Sequence, residues 1–206
     1  MQITDTLRSS LRKSHIIGQH CQRNFDLSKE ILEEDIELII HAATQCPSKQ
    51  NLDFYSLYAI QDRKIIETLY NNTVTLKGRK NPQVLGQLLL VFVSNPNVVT
   101  QNDRNQESRD LNQKIDLSLI EDMHQAIGVA AGYVNLTSSM LGYRTGCCKC
   151  FDIDVVSSTL NLTPNQKPIL MMGIGVKDDN RNRREEHYTN KIISAFPKIP
   201  IQVTKL

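Results

Sequence analysis

Residues 118–152 read SLIEDMHQAIGVAAGYVNLTSSMLGYRTGCCKCFD, and the rest of the chain is organised around them. Ser118 followed three residues on by Glu121 has the form of a capping box, each side chain satisfying an orphan amide at a helix start. Met123, Ile127, Ala130, Val134 and Leu141 then recur at steps of three, four or seven, the period of one helical face. Gly128, Ala131, Gly132, Ser138 and Ser139 add small residues that let another backbone approach closely. Gly142, after Leu141, stands where a left-handed residue ends a helix. The spacing predicts a helix of about two dozen residues, ~36 Å long at 1.5 Å per residue.

The totals bound what such a helix belongs to. At 206 residues the chain is expected to be one domain, residues 1–206, large enough to bury a real core. Forty per cent apolar and 22% charged residues are ordinary for a globular protein, and a net charge of +2 gives no reason to expect nucleic acid. The apolar run Leu88 to Val93 is far too short for a membrane span, and residues 1–10 lack a signal-peptide core. The expectation is a cytoplasmic protein with no membrane partner. Five cysteines, three of them crowded at Cys147, Cys148 and Cys150, do not form a secreted disulfide framework. The sequons at Asn71, Asn135 and Asn161 then have no use, and Asn135 falls within the predicted helix.

Elsewhere the patterns alternate between helix and strand. Ile3, Leu7 and Leu11 predict a helix ending before Gly18, and Ile36, Ile39, Ile40 and Ala43 predict another over 33–45, closed by Pro47. Tyr55 to Ile60 reads as a strand, 62–70 as a helix, and Leu88 to Val93 as a buried strand. Residues 96–109 form a polar excursion, expected to be a lid or a loose loop. A short helix over 154–160, a turn at Thr163-Pro164-Asn165 and a buried strand over 168–176 follow, with Met171 and Met172 in the core. Residues 186–206 are expected to form a C-terminal arm, extended from Ala195 and laid over a partner subunit.

The segment LGYRTGCCKCFD, with the small-residue helix before it, resembles the part of the nitroreductase family of flavoenzymes that runs along the edge of the flavin ring. In that family a Leu-Gly pair ends the central helix, and a short turn closed by Phe puts a backbone amide near flavin N5. Cys148, Lys149 and Cys150 stand at that turn, with Phe151 and Asp152 after them. Cys150 takes a place where family members often carry Gly, which an amide donor tolerates.

Four further stretches are similar to family motifs in the same order. Gln19, His20, Cys21 and Arg23, ahead of Phe25, align with an Arg-Arg-Ser-x-Arg-x-Phe motif that holds the FMN phosphate, ribityl chain and pyrimidine edge; Gln19 and His20 replace its leading arginines. Cys46-Pro47-Ser48-Lys49-Gln50-Asn51 resembles Ala-Pro-Ser-x-x-Asn, so Pro47, Ser48 and Asn51 are flavin candidates, usually acting across a dimer interface. Asp53-Phe54-Tyr55 replaces the Gln-Pro-Trp that often follows. Lys80 is the candidate for a basic residue near the phosphate, and Arg181 and Arg183 fit a Lys/Arg-x-Arg pair that grips it after the last core strand.

The resemblance implies an α+β fold, a central mixed, mostly antiparallel sheet packed by helices with the long helix among them. It implies FMN as cofactor, a homodimer with sites at the interface, and ping-pong transfer of reducing equivalents. They would pass from NAD(P)H to a nitroaromatic, a quinone or another flavin. No side chain is required as acid or base, so no catalytic residue is named, and no metal. Two other readings remain open: a metal-binding or redox-switch protein built on Cys147, Cys148 and Cys150, and a noncatalytic flavin-binding module. A nucleic-acid patch at Arg181, Arg183 and Arg184 is countered by Asp178, Asp179, Glu185 and Glu186. His41 and His124 read as surface or structural histidines, and His187 follows the arginines in a polar tail.

Overall fold

The computed structural model describes residues 4–74, 78–98, 112–194 and 197–205, with the backbone alone for 112–117. The expectations placed on Ile3, on 99–109 of the polar excursion and on Ala195 and Phe196 of the arm lie outside these residues. The described helices and strands are α1 (Asp5–Gly18), α2 (Glu33–Thr44), β1 (Tyr55–Ile60), α3 (Arg63–Asn71), β2 (Leu88–Ser94), α4 (Asn112–Met140), β3 (Arg144–Cys148), α5 (Ile153–Thr159) and β4 (Pro168–Gly175).

The strands form one sheet in the order β1-β2-β4-β3, and all three pairs are antiparallel. The uninterrupted apolar run of β2 has a direct cause: the strand is covered on both faces. Leu88, Leu90 and Phe92 join Ile36 and Ile39 of α2 and Ile127, Ala130 and Val134 of α4. Leu89, Val91 and Val93 point the other way, toward Ile66 and Leu69 of α3 and Val156 of α5. Each such fully buried side chain contributes about 1.5–3 kcal/mol, so β2 is the centre of the hydrophobic stabilisation. Met171 and Met172 are fully buried, as expected.

Local chemistry sets the helix ends. The Asp62 carboxylate accepts from Lys64 N at 2.8 Å and Ile65 N at 3.2 Å to start α3, and Asp152 does the same for α5. At the end of α4, Tyr143 N donates to Ser138 O at 2.8 Å and Gly142 N to Ser139 O at 3.3 Å, with Gly142 at φ 95°. That pattern is a Schellman stop, which needs a residue at ease with positive φ. The beginning of α4 differs from the sequence reading. The helix starts at Asn112, so Ser118 and Glu121 are exposed interior residues rather than a capping box. The Ser-x-x-Glu pattern also suits the solvent side of a helix, and here it marks that side.

The strand β3 carries no sequence signal of its own: RTGCC has no alternation and holds a glycine. It forms because β4 offers a partner, with Arg144 opposite Gly175 and Cys148 opposite Met171. Asn135 ties this edge to the helices, donating to Gly18 O at 2.9 Å and accepting from Thr145 Oγ1 at 2.6 Å. No described helix is long and apolar enough to cross a membrane.

Candidate functional site

The loop that follows α1 lies against the β3 edge and the segment after β4. Gln22 N donates to Thr145 O at 2.8 Å, Arg23 N to Arg183 O at 3.0 Å, and Asp26 N to Val176 O at 2.9 Å. Phe25, fully buried, bridges to Lys177 and anchors the loop. These bonds carry Cys21 and Arg23 to one spot with Cys147 of β3 and with Arg183 and Arg184. With the Gln83 amide oxygen turned toward it, Arg23 Nη2 donates at 2.9 Å, and the same amide nitrogen donates to Cys147 O.

The electrostatics of this spot are those of crowded cations. Burial lowers the pKa of Arg183, and the neighbouring Arg184 and Arg23 lower it further. Burial likewise lowers Arg23, with Arg184 adding to the effect while Cys21 and Glu186 oppose it. Arg184 Nε is buried without a hydrogen-bond partner among the described residues. Exposed His20 sits at the rim, its pKa lowered first by partial desolvation and then by Arg183 and Arg184. The Cys21 thiol is lowered to about 6, chiefly by a hydrogen bond from Cys147, with Arg23 and Arg183 contributing. Cys147 is pushed up in return by that same bond and by burial.

Next to this cluster, β3 ends in the turn Cys148-Lys149-Cys150. Val74 N donates to Cys150 O at 2.8 Å, Asn81 Nδ2 donates to Cys150 Sγ at 3.3 Å, and Thr73 bridges to Phe151. Thr73, Val74 and Asn81 therefore hold the turn. Among the described residues, no acceptor is placed against the backbone N–H of Lys149 or Cys150.

The remaining sequence candidates are placed elsewhere or engaged otherwise. Pro47 is exposed, and Ser48 and Asn51 line a separate cavity of about 560 Å³ with Cys46, Asp53 and Tyr55. Ser48 Oγ donates to Leu52 O at 2.7 Å there. Exposed Lys80 donates to Asn71 O, and exposed Gln19 precedes the loop. Arg181 and Arg183 share a cavity of about 280 Å³ with Gln22, Arg144, Lys177, Asp178 and Asp179. The guanidinium of Arg181, however, is engaged by its own tail: His187 O at 2.9 Å, Glu186 O at 2.9 Å, Glu185 Oε1 at 3.2 Å and Asn190 Oδ1 at 2.7 Å. Arg184, not Arg181, stands with Arg23 and Arg183.

Sequence reasoning passed over Arg184, Gln83 and Asn81 as candidates. The run Arg181–Arg184 offered three cations, and only the fold says which of them turns inward. Gln83 carries no signal at all, because it reaches the site through the packing of the Pro82–Val84 turn on β3. Among the described residues, no three His, Cys, Asp or Glu side chains converge in a way that would hold a metal ion.

The model of the nitroreductase family matches residues 16–176, which takes in every element from the end of α1 to the end of β4. The chain belongs to the nitroreductase family. Solved structures agree on the fold of this nitroreductase-family chain. A nitroreductase family protein from Clostridium novyi NT is 19% identical, with 84% of this chain and 89% of that one covered at a TM-score of 0.62. A protein from Exiguobacterium sibiricum 255-15, solved in complex with FMN, is 15% identical over 98% of this chain and 95% of its own, at a TM-score of 0.66. An FMN-dependent nitroreductase from Clostridium difficile R20291 is 17% identical over 84% and 90%, at a TM-score of 0.59. No curated protein matches significantly.

Proposed function

We propose that this chain is an FMN-dependent oxidoreductase. It would take reducing equivalents from NAD(P)H and pass them to a nitroaromatic, a quinone or another flavin by a ping-pong mechanism. The observation that carries the reading is the crowding of Arg23, Arg183 and Arg184, with Arg184 Nε buried and without a partner among the described residues. Arg184 lies close enough to lower the pKa of both Arg23 and Arg183; a dianion held by Arg183 and Arg184 relieves that crowding, since a phosphate accepts from guanidinium groups in pairs. Family membership supports the same cofactor.

FMN supplies the hydride and electron chemistry when bound. The chain's own residues bind and orient. Arg183 and Arg184 would hold the phosphate, and Arg23, fixed by Gln83, would hold the pyrimidine edge. The N–H groups of Lys149 and Cys150, which meet no acceptor among the described residues, would donate to the ring edge, a preorganised role that needs no side-chain acid or base. Ser48 and Asn51 line another cavity, so they would serve the site of a second copy in a homodimer. Exposed Val129, Tyr133 and Met140 on α4 suit such a contact, with the tail beyond residue 186 as an arm. Five free cysteines suit the reducing cytoplasm.

The test is the visible spectrum of the purified protein with added FMN, followed by anaerobic reduction with NADH and with NADPH. The expected result is one FMN per chain and bleaching of the flavin band by at least one nicotinamide. A protein that retains no FMN after gel filtration would overturn the reading.

A further inference from the structure

We propose that Cys148 and Cys150 are a redox-active dithiol, a Cys-x-Cys couple that closes to a disulfide by exchange with small-molecule disulfides. The two sulfurs already lie 3.3 Å apart, and Cys148 Sγ also reaches Cys150 O at 3.6 Å. The backbone needs little movement, because Cys150 is held from three sides. Val74 N fixes its carbonyl, Asn81 Nδ2 donates to its sulfur, and the Thr73–Phe151 bridge fixes the next residue.

The two thiols differ in access, which divides the roles. Cys150 is half-buried and meets a small reagent first. Cys148 is 2% exposed and can act only on a neighbour. Burial and the Cys150 sulfur push the Cys148 thiol up to about 12, so it waits as the protonated partner. Cys147 is excluded, since strand alternation turns it to the α2 and α4 face while Cys148 faces α3 and α5.

The exchange balances in two steps. The Cys150 thiolate attacks one sulfur of RSSR, forming Cys150–S–S–R and releasing RS⁻. Cys148 then attacks the Cys150 sulfur, its proton passing to the released thiolate. The S–R bond partner leaves as a second thiolate, which takes up the proton lost when Cys150 ionised. Two protein thiols are oxidised and one RSSR becomes two RSH. Run in reverse, the couple reoxidises two small thiols. This inference stands on sulfur geometry and survives failure of the FMN reading.

The experiment treats the purified full chain, with and without FMN, with bis(2-hydroxyethyl) disulfide, blocks remaining thiols under denaturing conditions and maps tryptic peptides. Trypsin cuts after Lys149, between the two cysteines, so the disulfide joins the peptide Thr145–Lys149 to the one beginning at Cys150. The expected result is that cross-link in most chains, retained in Cys147→Ser and reversed by dithiothreitol. Cys148→Ala should instead leave hydroxyethylthio-modified Cys150, the first step stranded without the second. A cross-link that survives Cys148→Ala but vanishes in Cys147→Ser would overturn the assignment. So would a wild-type chain that accumulates modified Cys150 with no cross-link, a result independent of how any variant folds.

Discussion

Gly146 of β3 lies directly opposite Gly173 of β4, and the Pro82–Val84 turn packs into the notch that this pair leaves. A Cβ added at Gly146 would stand 2.6 Å from Gln83 O and 2.7 Å from Gln22 O. Both are backbone atoms and cannot swing aside. Gln22 and Gln83 are also the residues that flank and hold Arg23, so the notch sets the site's geometry as well as its stability. Gly146→Ala is expected to destabilise by about 1–3 kcal/mol, the usual range for overpacking. Thermal denaturation would show it as a lowered Tm, with weakened FMN binding below the melt. An unchanged Tm would mean the loops are not packed as described.

The three arginines after β4 should separate in their effects. Arg183→Ala with Arg184→Ala removes donors that face Arg23. Each charge-assisted bond lost is worth about 1.5–3 kcal/mol, so FMN should weaken strongly while riboflavin, which lacks the phosphate, weakens little. Arg181→Ala should do the reverse, loosening the 185–190 segment and lowering Tm with a smaller loss of FMN affinity. Titration calorimetry with both ligands distinguishes the two. Equal loss of FMN and riboflavin in the double variant would rule out phosphate recognition.

Particular residues show how far the sequence could be read. The strands β1, β2 and β4 and the helices α2, α3 and α5 were legible because burial of an apolar run or face writes its own period into the chain. The stop of α4 was legible too, since Gly142 answers a local demand for positive φ. Its start was not, because Ser118-x-x-Glu121 meets the capping pattern while sitting on a solvent-facing stretch. The strand β3 was missed for a different reason: its stability lies in pairing with β4 some 25 residues later, and five residues such as RTGCC carry no trace of that. The candidate site divided in the same way. Arg23 and the Cys150 turn were proposed from local motifs, whereas the approach of Gln83 to Arg23 and the engagement of Arg181 by the 185–190 segment depend on tertiary packing.

Cys21 gives a pH signature. Its pKa is lowered from 9.0 to about 6, so between those values the folded chain holds the thiolate where the unfolded chain holds the thiol. In that window Cys21 binds fewer protons when folded, and its contribution to stability grows as pH rises and is lost as pH falls through about 6. Iodoacetamide labelling followed by mass spectrometry should show Cys21 reacting at neutral pH, with a midpoint near pH 6. Cys147→Ala removes the main donor and should move that midpoint upward. A midpoint above 8 in the parent protein would remove the thiolate from the site.

The last prediction concerns the two cavities. Arg183 lines one and Asn51 the other, and no described contact joins them within one chain. If a homodimer unites them, each FMN site takes Arg183 from one copy and Asn51 from the other. Asn51→Gly is the right deletion, because Asn51 sits at φ 54° and glycine keeps that conformation. Homodimers of Asn51→Gly and of Arg183→Ala should each bind FMN weakly. Mixed dimers of the two variants should then regain one intact site of every pair, built from the unaltered Arg183 of one copy and the unaltered Asn51 of the other. FMN titration of purified mixed dimers, carrying different affinity tags, should reach half occupancy at parental affinity. If both residues served a site within one chain, every site in the mixed dimer would carry one lesion, and no high-affinity FMN would appear. A Tyr133→Glu variant, changed on the exposed face of α4, should sediment as a single chain and lose tight FMN binding together with the dimer.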